Sequence, residues 1–178
     1  MSTKSESNFW NQKIVYDITR FTTTDYAGHL SCIIWFIGCN FRCLYCYNNN
    51  IVYTKKGKYD FKEILEFLKS RVGLLDSVVL SGGEASIHNL IPICKEIKKL
   101  GFKIKLDTNG SNFKQIKELI ELKLINYMAI DFKAPKEKFK DLVNSCLYDT
   151  IIRTIQYMIK IDFDFELRTT INTKLIDE

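Results

Sequence analysis

Three cysteines, Cys39, Cys43 and Cys46, stand in the spacing C-x3-C-x2-C, with Tyr45 and Tyr47 on either side of the last of them. A short loop can wrap thiols at this spacing around one metal centre, and thiolate is a soft ligand that both zinc and iron–sulfur clusters accept. The fourth ligand decides between them. A structural zinc site wants four, and an electron-transfer [4Fe–4S] cluster usually has four cysteines. Cys32 is the nearest candidate, but in an extended strand the path from Cys32 to Cys39 covers roughly 23 Å at about 3.3 Å per residue. Cys94 falls on the apolar face of a predicted helix and Cys146 in a helix-to-helix connection, where both read as small hydrophobes. His29 reaches the loop only if the strand is broken, and His88 reads as a polar helix residue. Three ligands are the economical set, and a cluster held by three leaves one iron open. Spacing alone leaves zinc as the alternative.

Further polar motifs recur along the chain at regular structural positions. Ser81-Gly82-Gly83-Glu84, Asp107-Thr108-Asn109-Gly110 and Asp131-Phe132-Lys133 each follow an apolar run, and Glu166, Arg168, Thr169 and Thr170 lie in or after another. The elements that must position them alternate. Ser31–Ile37, rich in β-branched and aromatic residues and ended by Gly38, predicts a buried strand. Asp60 caps a helix whose Phe61, Ile64, Leu65, Leu68 and Val72 share one face. Ser77–Ser81 is a second strand, and Ser86 opens a helix that carries Leu90, Ile91, Cys94, Ile97 and Leu100 inward, with Gly101 at its C-terminal cap. Phe102–Asp107 is a third strand, Asn112–Lys123 a helix and Ile125–Asp131 a fourth strand. Pro135 begins a helix where its missing N–H does no harm. A helix over about Thr150–Ile161 and a fifth strand, Phe163–Thr170, complete the pattern. Strands alternating with helices imply right-handed βαβ units in a parallel sheet. The pattern leaves open a curved partial barrel or a doubly wound sheet. In either, the loops at the carboxyl ends of the strands gather on one face, where ligands bind.

The 178 residues suit one compact domain, read as a loose N-terminal tail over residues 1–13 and a single domain over residues 14–178. Hydrophobic residues make up 46% and charged residues 26%, ordinary for a soluble globular protein. No apolar run approaches the ~20 residues that cross a bilayer, and the polar N-terminus lacks the apolar stretch of a signal peptide. No membrane association and a cytoplasmic location are therefore expected. In that reducing compartment the six cysteines point to metal binding or catalysis rather than disulfides. The net charge of +5 comes from lysines spread over helix faces, without the dense basic tract of a nucleic-acid binder.

The cysteine loop with an aromatic before its third cysteine, followed by Gly82-Gly83-Glu84, resembles the radical S-adenosylmethionine superfamily over about Thr22 to Thr170. The resemblance implies an open partial (β/α) barrel of parallel strands. It further implies a [4Fe–4S] cluster on Cys39, Cys43 and Cys46 whose open iron chelates the methionine amino and carboxylate groups of S-adenosylmethionine. Gly82, Gly83 and Glu84 would hold the ammonium, since glycine permits close backbone approach and carboxylate accepts charged hydrogen bonds. The backbone at Tyr45 would meet the adenine. Asn109 and Arg168 would contact the ribose or carboxylate, with an Arg168–Glu166 pair as the alternative. Lys133 would pair with the cofactor carboxylate, with a salt bridge to Asp131 as its alternative. No side chain receives an acid–base or nucleophilic role of its own.

The combination of DYAGHLSCIIWFIGCNFRCLYCYN, SGGEA, DTNG, DFK and ELRTT is similar to the activating enzymes of glycyl-radical enzymes. Among them it looks closest to the activating proteins of anaerobic ribonucleoside-triphosphate reductase. That resemblance implies a glycyl-radical protein substrate, a flavodoxin or ferredoxin electron donor, and a monovalent cation held by Asp107 and Asp131. Three features depart from the pattern: Ala85 where proline is frequent, Tyr47 where many activases have histidine, and five strands where the barrel normally has a sixth βα unit. The last reads as truncation or as a side covered by the protein substrate. Two other functions stand beside this one: a radical enzyme acting on a small molecule, such as a 7-carboxy-7-deazaguanine synthase, and a zinc-binding interaction module without catalysis.

Overall fold

The computed structural model describes residues 9–171. Six strands form one open sheet in sequence order: β1 (Val15–Thr22), β2 (Ser31–Phe36), β3 (Ser77–Gly82), β4 (Lys103–Thr108), β5 (Tyr127–Asp131) and β6 (Phe165–Arg168). β2 to β6 run parallel, and β1 pairs antiparallel with β2. The parallel array is the predicted partial barrel, and it does not close. β1 is an addition to the predicted strands: VYDITRFT carries no continuous apolar run, and as an edge strand most of it is only half-buried.

Helices α1 (Asn49–Tyr53), α2 (Phe61–Lys69), α3 (Leu90–Lys99), α4 (Phe113–Glu121), α5 (Lys136–Val143) and α6 (Tyr148–Lys160) occupy the connections. Asp60 caps α2 through a reciprocal box: Glu63 N–H donates to Asp60 Oδ1 (3.0 Å) and Asp60 N–H to Glu63 Oε2 (2.8 Å). Gly101 follows α3 with φ +90°, and Asn112 caps α4. The helix expected from Ser86 is broken. Ala85–Ile87 makes a single 3₁₀ turn and α3 starts at Leu90, which leaves His88 in the link between them. α2 ends at Lys69, so Val72 stands exposed instead of on its buried face. The last strand ends at Arg168, short of Thr169 and Thr170.

Alternation along each strand separates two faces. Cys32, Ile34, Val78, Leu80, Ile104, Leu106, Met128 and Ile130 join the apolar helix faces in the main core. Ile33 and Val79 point the other way, into a small cluster with Tyr26 from the β1–β2 loop, flanked by Trp35 and Tyr127. Lys105, Asp107 and Arg168 share that inner face through the register of β4, β5 and β6. Of the expected tail, residues 1–8 lie outside the described residues, while Phe9 and Trp10 pack on the core, Trp10 with its ring 5.8 Å from Phe61.

Candidate functional site

The cysteine loop leaves β2 through Gly38, whose φ of +77° is left-handed. Three anchors fix its path. Gly38 N–H donates to Ile51 O on α1 (2.9 Å), and Arg42 and Leu44 N–H donate to Val143 O and Leu142 O at the end of α5 (3.0 and 2.9 Å). Phe41, buried, packs edge-on against Phe139 of α5. The Arg42 guanidinium folds back on the loop and donates to Cys39 O (2.6 Å) and Phe41 O (2.7 Å). All three thiols are half-buried and free. Burial pushes the Cys39 thiol up to about 11, with smaller upward contributions from Glu84, Cys43 and Cys46. Burial also raises Cys43, while Lys133 beside it pulls the other way. Thiols so desolvated as neutral groups and so close as to repel when ionised suit a cationic metal centre, which would supply the missing positive charge.

Cys32 is fully buried in β2 with its thiol pushed up to about 12, and Cys94 is likewise buried in α3 at about 12. Cys146 is exposed. His29 stacks edge-on against Tyr26 before the start of β2, and His88 Nε2–H donates to Ile37 O (2.8 Å). Cys32 and Cys94 are thus enclosed in the core, and His29 and His88 are engaged with other partners. Among the described residues no group of three or more His, Cys, Asp or Glu side chains is gathered as a site for a single metal ion.

Gly82 and Gly83 hold β3 against the root of this loop. A Cβ on Gly82 would run into the backbone of Phe36, and one on Gly83 into the carbonyl of Gly38. Gly83 N–H donates to Phe36 O (3.0 Å) and Glu84 N–H to Gly38 O (2.8 Å). Those two amides are committed to the sheet, so an ammonium would need carbonyl oxygens here, as its own donor chemistry requires. Glu84 is buried and accepts from Ser86 N–H (3.0 Å), Thr108 Oγ1–H (2.7 Å) and Asn109 N–H (2.6 Å). Its carboxylate ties the end of β3 to the end of β4, a role the motif alone did not reveal. Burial raises its pKa against the pull of those donors. Asn109 in turn donates from Nδ2 to Asn40 Oδ1 (2.9 Å), and Asn40 Nδ2 donates to Ser111 Oγ (2.8 Å), so β4 also grips the cysteine loop.

A cavity of about 270 Å³ opens between these strand ends. Its lining brings Cys39 and Cys43 together with Gly82, Gly83, Glu84, Asn109, Asp107, Asp131, Lys133 and Arg168. Tyr45 is not in the lining; its hydroxyl donates to Lys133 O (2.7 Å) and so joins the cysteine loop to the β5 end. Cys46, though the thiols of Cys39 and Cys43 feel its charge, is also outside the lining.

The charged wall of the cavity is internally paired. Arg168 lies beside Asp131 in the β5–β6 register, and its Nε donates to Asp131 Oδ1 (3.2 Å) while Nη2 stands 3.5 Å from Asp107 Oδ2. The Arg168–Glu166 alternative is not formed: Glu166 takes Lys105 Nζ (3.1 Å) instead. Lys133 Nζ donates to Asp131 Oδ2 (2.8 Å), the salt bridge weighed from the sequence. The two aspartates expected to share a monovalent cation thus already have Arg168 between them. Asp107 Oδ1 is buried without a hydrogen-bond partner, its nearest cation being Lys105 Nζ at 3.6 Å. Burial raises the Asp107 carboxyl against the opposing pull of Arg168 and Lys105. An orphaned acceptor on a residue that lines the same cavity as two thiols suits a polar, charged ligand.

The radical SAM superfamily model matches residues 33–177. A provisionally named glycyl-radical enzyme activating enzyme of Methanocaldococcus jannaschii is 35% identical across 93% of this chain and 71% of its own length. A second protein of that organism with the same provisional name is 32% identical over 78% of this chain, which spans only 53% of it. The 7-carboxy-7-deazaguanine synthase of Buchnera aphidicola is 28% identical over 65% of this chain and 58% of its own. In fold, native anSMEcpe with bound AdoMet superposes with a TM-score of 0.59 at 20% identity, over 73% of this chain and 40% of that one. TYW1 with a lysine-pyruvate adduct bound does so at 0.59 and 17% identity, over 84% and 57%. The chain belongs to the radical SAM superfamily and is a radical SAM enzyme. The family implies a [4Fe–4S] cluster and S-adenosylmethionine, and the thiol set with its adjoining polar cavity fits both.

Proposed function

We propose that this enzyme generates a glycyl radical on a partner protein, with anaerobic ribonucleoside-triphosphate reductase as the substrate. The observation that carries it is the placement of Cys39 and Cys43 in the lining of one cavity with the ends of four parallel strands. Cys39, Cys43 and Cys46 hold the cluster, and the polar lining receives S-adenosylmethionine. Bound there, the reduced cluster and S-adenosylmethionine supply a 5′-deoxyadenosyl radical, which takes a hydrogen atom from a glycine Cα. The protein's own work is orientation. Glu84 and Asn109 lock the strand ends under the cysteine loop, and backbone carbonyl oxygens of Gly82 and Gly83, residues of the cavity lining, would accept from the substrate ammonium. Arg168 and Lys133, held in place by Asp107 and Asp131, would donate to its carboxylate through the N–H groups those pairs leave over. The choice of a protein substrate is supported by the 35% identity across 93% of the chain to the named activating enzyme.

A second reading, a small-molecule radical enzyme, is favoured by the similarity to 7-carboxy-7-deazaguanine synthase. Superfamily membership weighs against the zinc-only module. The reducing cytoplasm remains the expected location; among the described residues no helix is long and apolar enough to cross a membrane. Anaerobic reconstitution followed by reaction with the reductase tests the proposal. A glycyl-radical doublet in the electron paramagnetic resonance spectrum, with 5′-deoxyadenosine released, is the expected result. Release of 5′-deoxyadenosine only with a deazapurine precursor would favour the second reading.

A further inference from the structure

From Tyr26 to Tyr59 the chain contains no aspartate or glutamate, yet it carries Arg42, Lys55, Lys56 and Lys58. The cysteine loop and α1 both fall in this stretch, so the outer rim of the loop is cationic. Lys58 pairs with Asp17. Lys55 and Lys56 are exposed just past α1 and have no ion-pair partner among the described residues. Apolar groups are exposed on the same segment: Leu44 at 69%, Tyr53 at 63% and Tyr47, next to Cys46, at 102%. The Arg42 guanidinium lies over the Tyr53 ring at 5.0 Å, which joins α1 to the loop as one surface.

We propose that this face is the docking surface for an acidic one-electron carrier, a flavodoxin. The inference rests on the reading that Cys39, Cys43 and Cys46 hold the cluster. A reduced carrier must come close to that centre, and the loop that carries the three thiols also carries this exposed segment. Its exposed Leu44 and Tyr47 directly follow Cys43 and Cys46 in the chain. Unpaired lysines around exposed aromatic and aliphatic side chains match a transient interface, where complementary charge steers encounter and a small apolar centre sets contact. The cavity wall is instead paired in both signs by Asp107, Asp131, Lys133 and Arg168, so it offers an acidic carrier no such net attraction. In the transfer, an anionic flavin hydroquinone gives up one electron and becomes the neutral semiquinone. A cluster bound by Cys39, Cys43 and Cys46 would accept that electron, passing from the 2+ to the 1+ state, with no proton moved.

The test uses a Lys55→Glu/Lys56→Glu double variant and a separate Tyr47→Ser variant with flavodoxin as the probe. Before cluster loading, carbodiimide cross-linking should join flavodoxin carboxylates to Lys55 and Lys56. After loading, the double variant should be reduced by flavodoxin hydroquinone about tenfold or more slowly than the parent, with the gap closing at high salt. Tyr47→Ser should weaken reduction without that salt dependence, and reduction by dithionite should be unchanged in both. Cross-links confined to other lysines, or parental flavodoxin rates in both variants, would overturn the proposal. So would loss of glycyl-radical formation in the double variant under dithionite, which would assign the face to the glycine-bearing partner. If dithionite fails to reduce the loaded parent protein, the cluster reading fails, and cross-linking of the unloaded chain still decides the docking surface.

Discussion

Gly83 leaves no room for a side chain against Gly38: a Cβ there would overlap the Gly38 carbonyl, at 1.9 Å from its oxygen. The glycine pair of the SGGE motif therefore sets where the cysteine loop begins, whatever it also offers to a ligand. Gly83→Ala must push the loop root off β3 and break the Glu84 N–H to Gly38 O bond. The expected outcome is a loss of about 3 kcal/mol in stability with cluster content falling well below one per chain. Thermal unfolding of the apo protein and iron and sulfide analysis after reconstitution check it. A fully loaded, parent-like Gly83→Ala protein would show that the close approach is not needed.

Glu84→Gln tests the carboxylate as a junction. Three donors converge on its two oxygens, from Ser86, Thr108 and Asn109. Glutamine offers one oxygen and one NH₂, so at least one donor meets another donor in a buried place. A cost of about 2–3 kcal/mol follows, and denaturant unfolding measures it. Affinity for S-adenosylmethionine should fall as well, because the Asn109 backbone loses its anchor. A variant with parental stability would mean that the three donors find other acceptors.

The fold was legible where burial left its mark on residue type. Ser31–Ile37 and Ser77–Ser81 are apolar on both faces because the sheet is covered there by helices outside and by the Tyr26 cluster inside. β1 was not legible, since an edge strand facing Tyr59 and solvent needs no apolar run. The site was legible as a set of strand ends, because motif after motif interrupts an apolar run at the same point of the βα unit. Its internal pairing was not. Arg168 meets Asp131 because β5 and β6 align them side by side, and register across strands distant in sequence leaves no local signal.

Cys43→Ala and Cys32→Ala separate ligand from core. Cys43 borders the cavity, whereas Cys32 is enclosed in β2 among Ile34 and the helix faces. Cys43→Ala should keep the parent's apo stability within about 1 kcal/mol, yet lose the reducible cluster and 5′-deoxyadenosine formation. Cys32→Ala should lose about 1–2 kcal/mol from the cavity it leaves and still assemble the cluster. Optical bleaching by dithionite alongside thermal unfolding distinguishes the two patterns. The reverse pattern would reject the ligand assignment.

His88 gives the protein a pH response remote from its charged wall. Its ring is tilted over Phe36, and Nε2–H donates to Ile37 O at the root of the cysteine loop. Burial lowers its pKa below 6.5, only partly opposed by the bond to Ile37. As pH falls below about 6.5 the unfolded chain takes up a proton at this site while the folded chain resists. More protons on the unfolded state means that stability rises with pH in this range and falls on acidification, by at most about 1.4 kcal/mol per pH unit from this one group. His88→Gln retains a donor for Ile37 O without a titrating ring. The parent should therefore lose more stability than His88→Gln between about pH 6.5 and 5.5, as read by denaturant midpoints. Parallel curves for the two proteins would exclude His88 as the source.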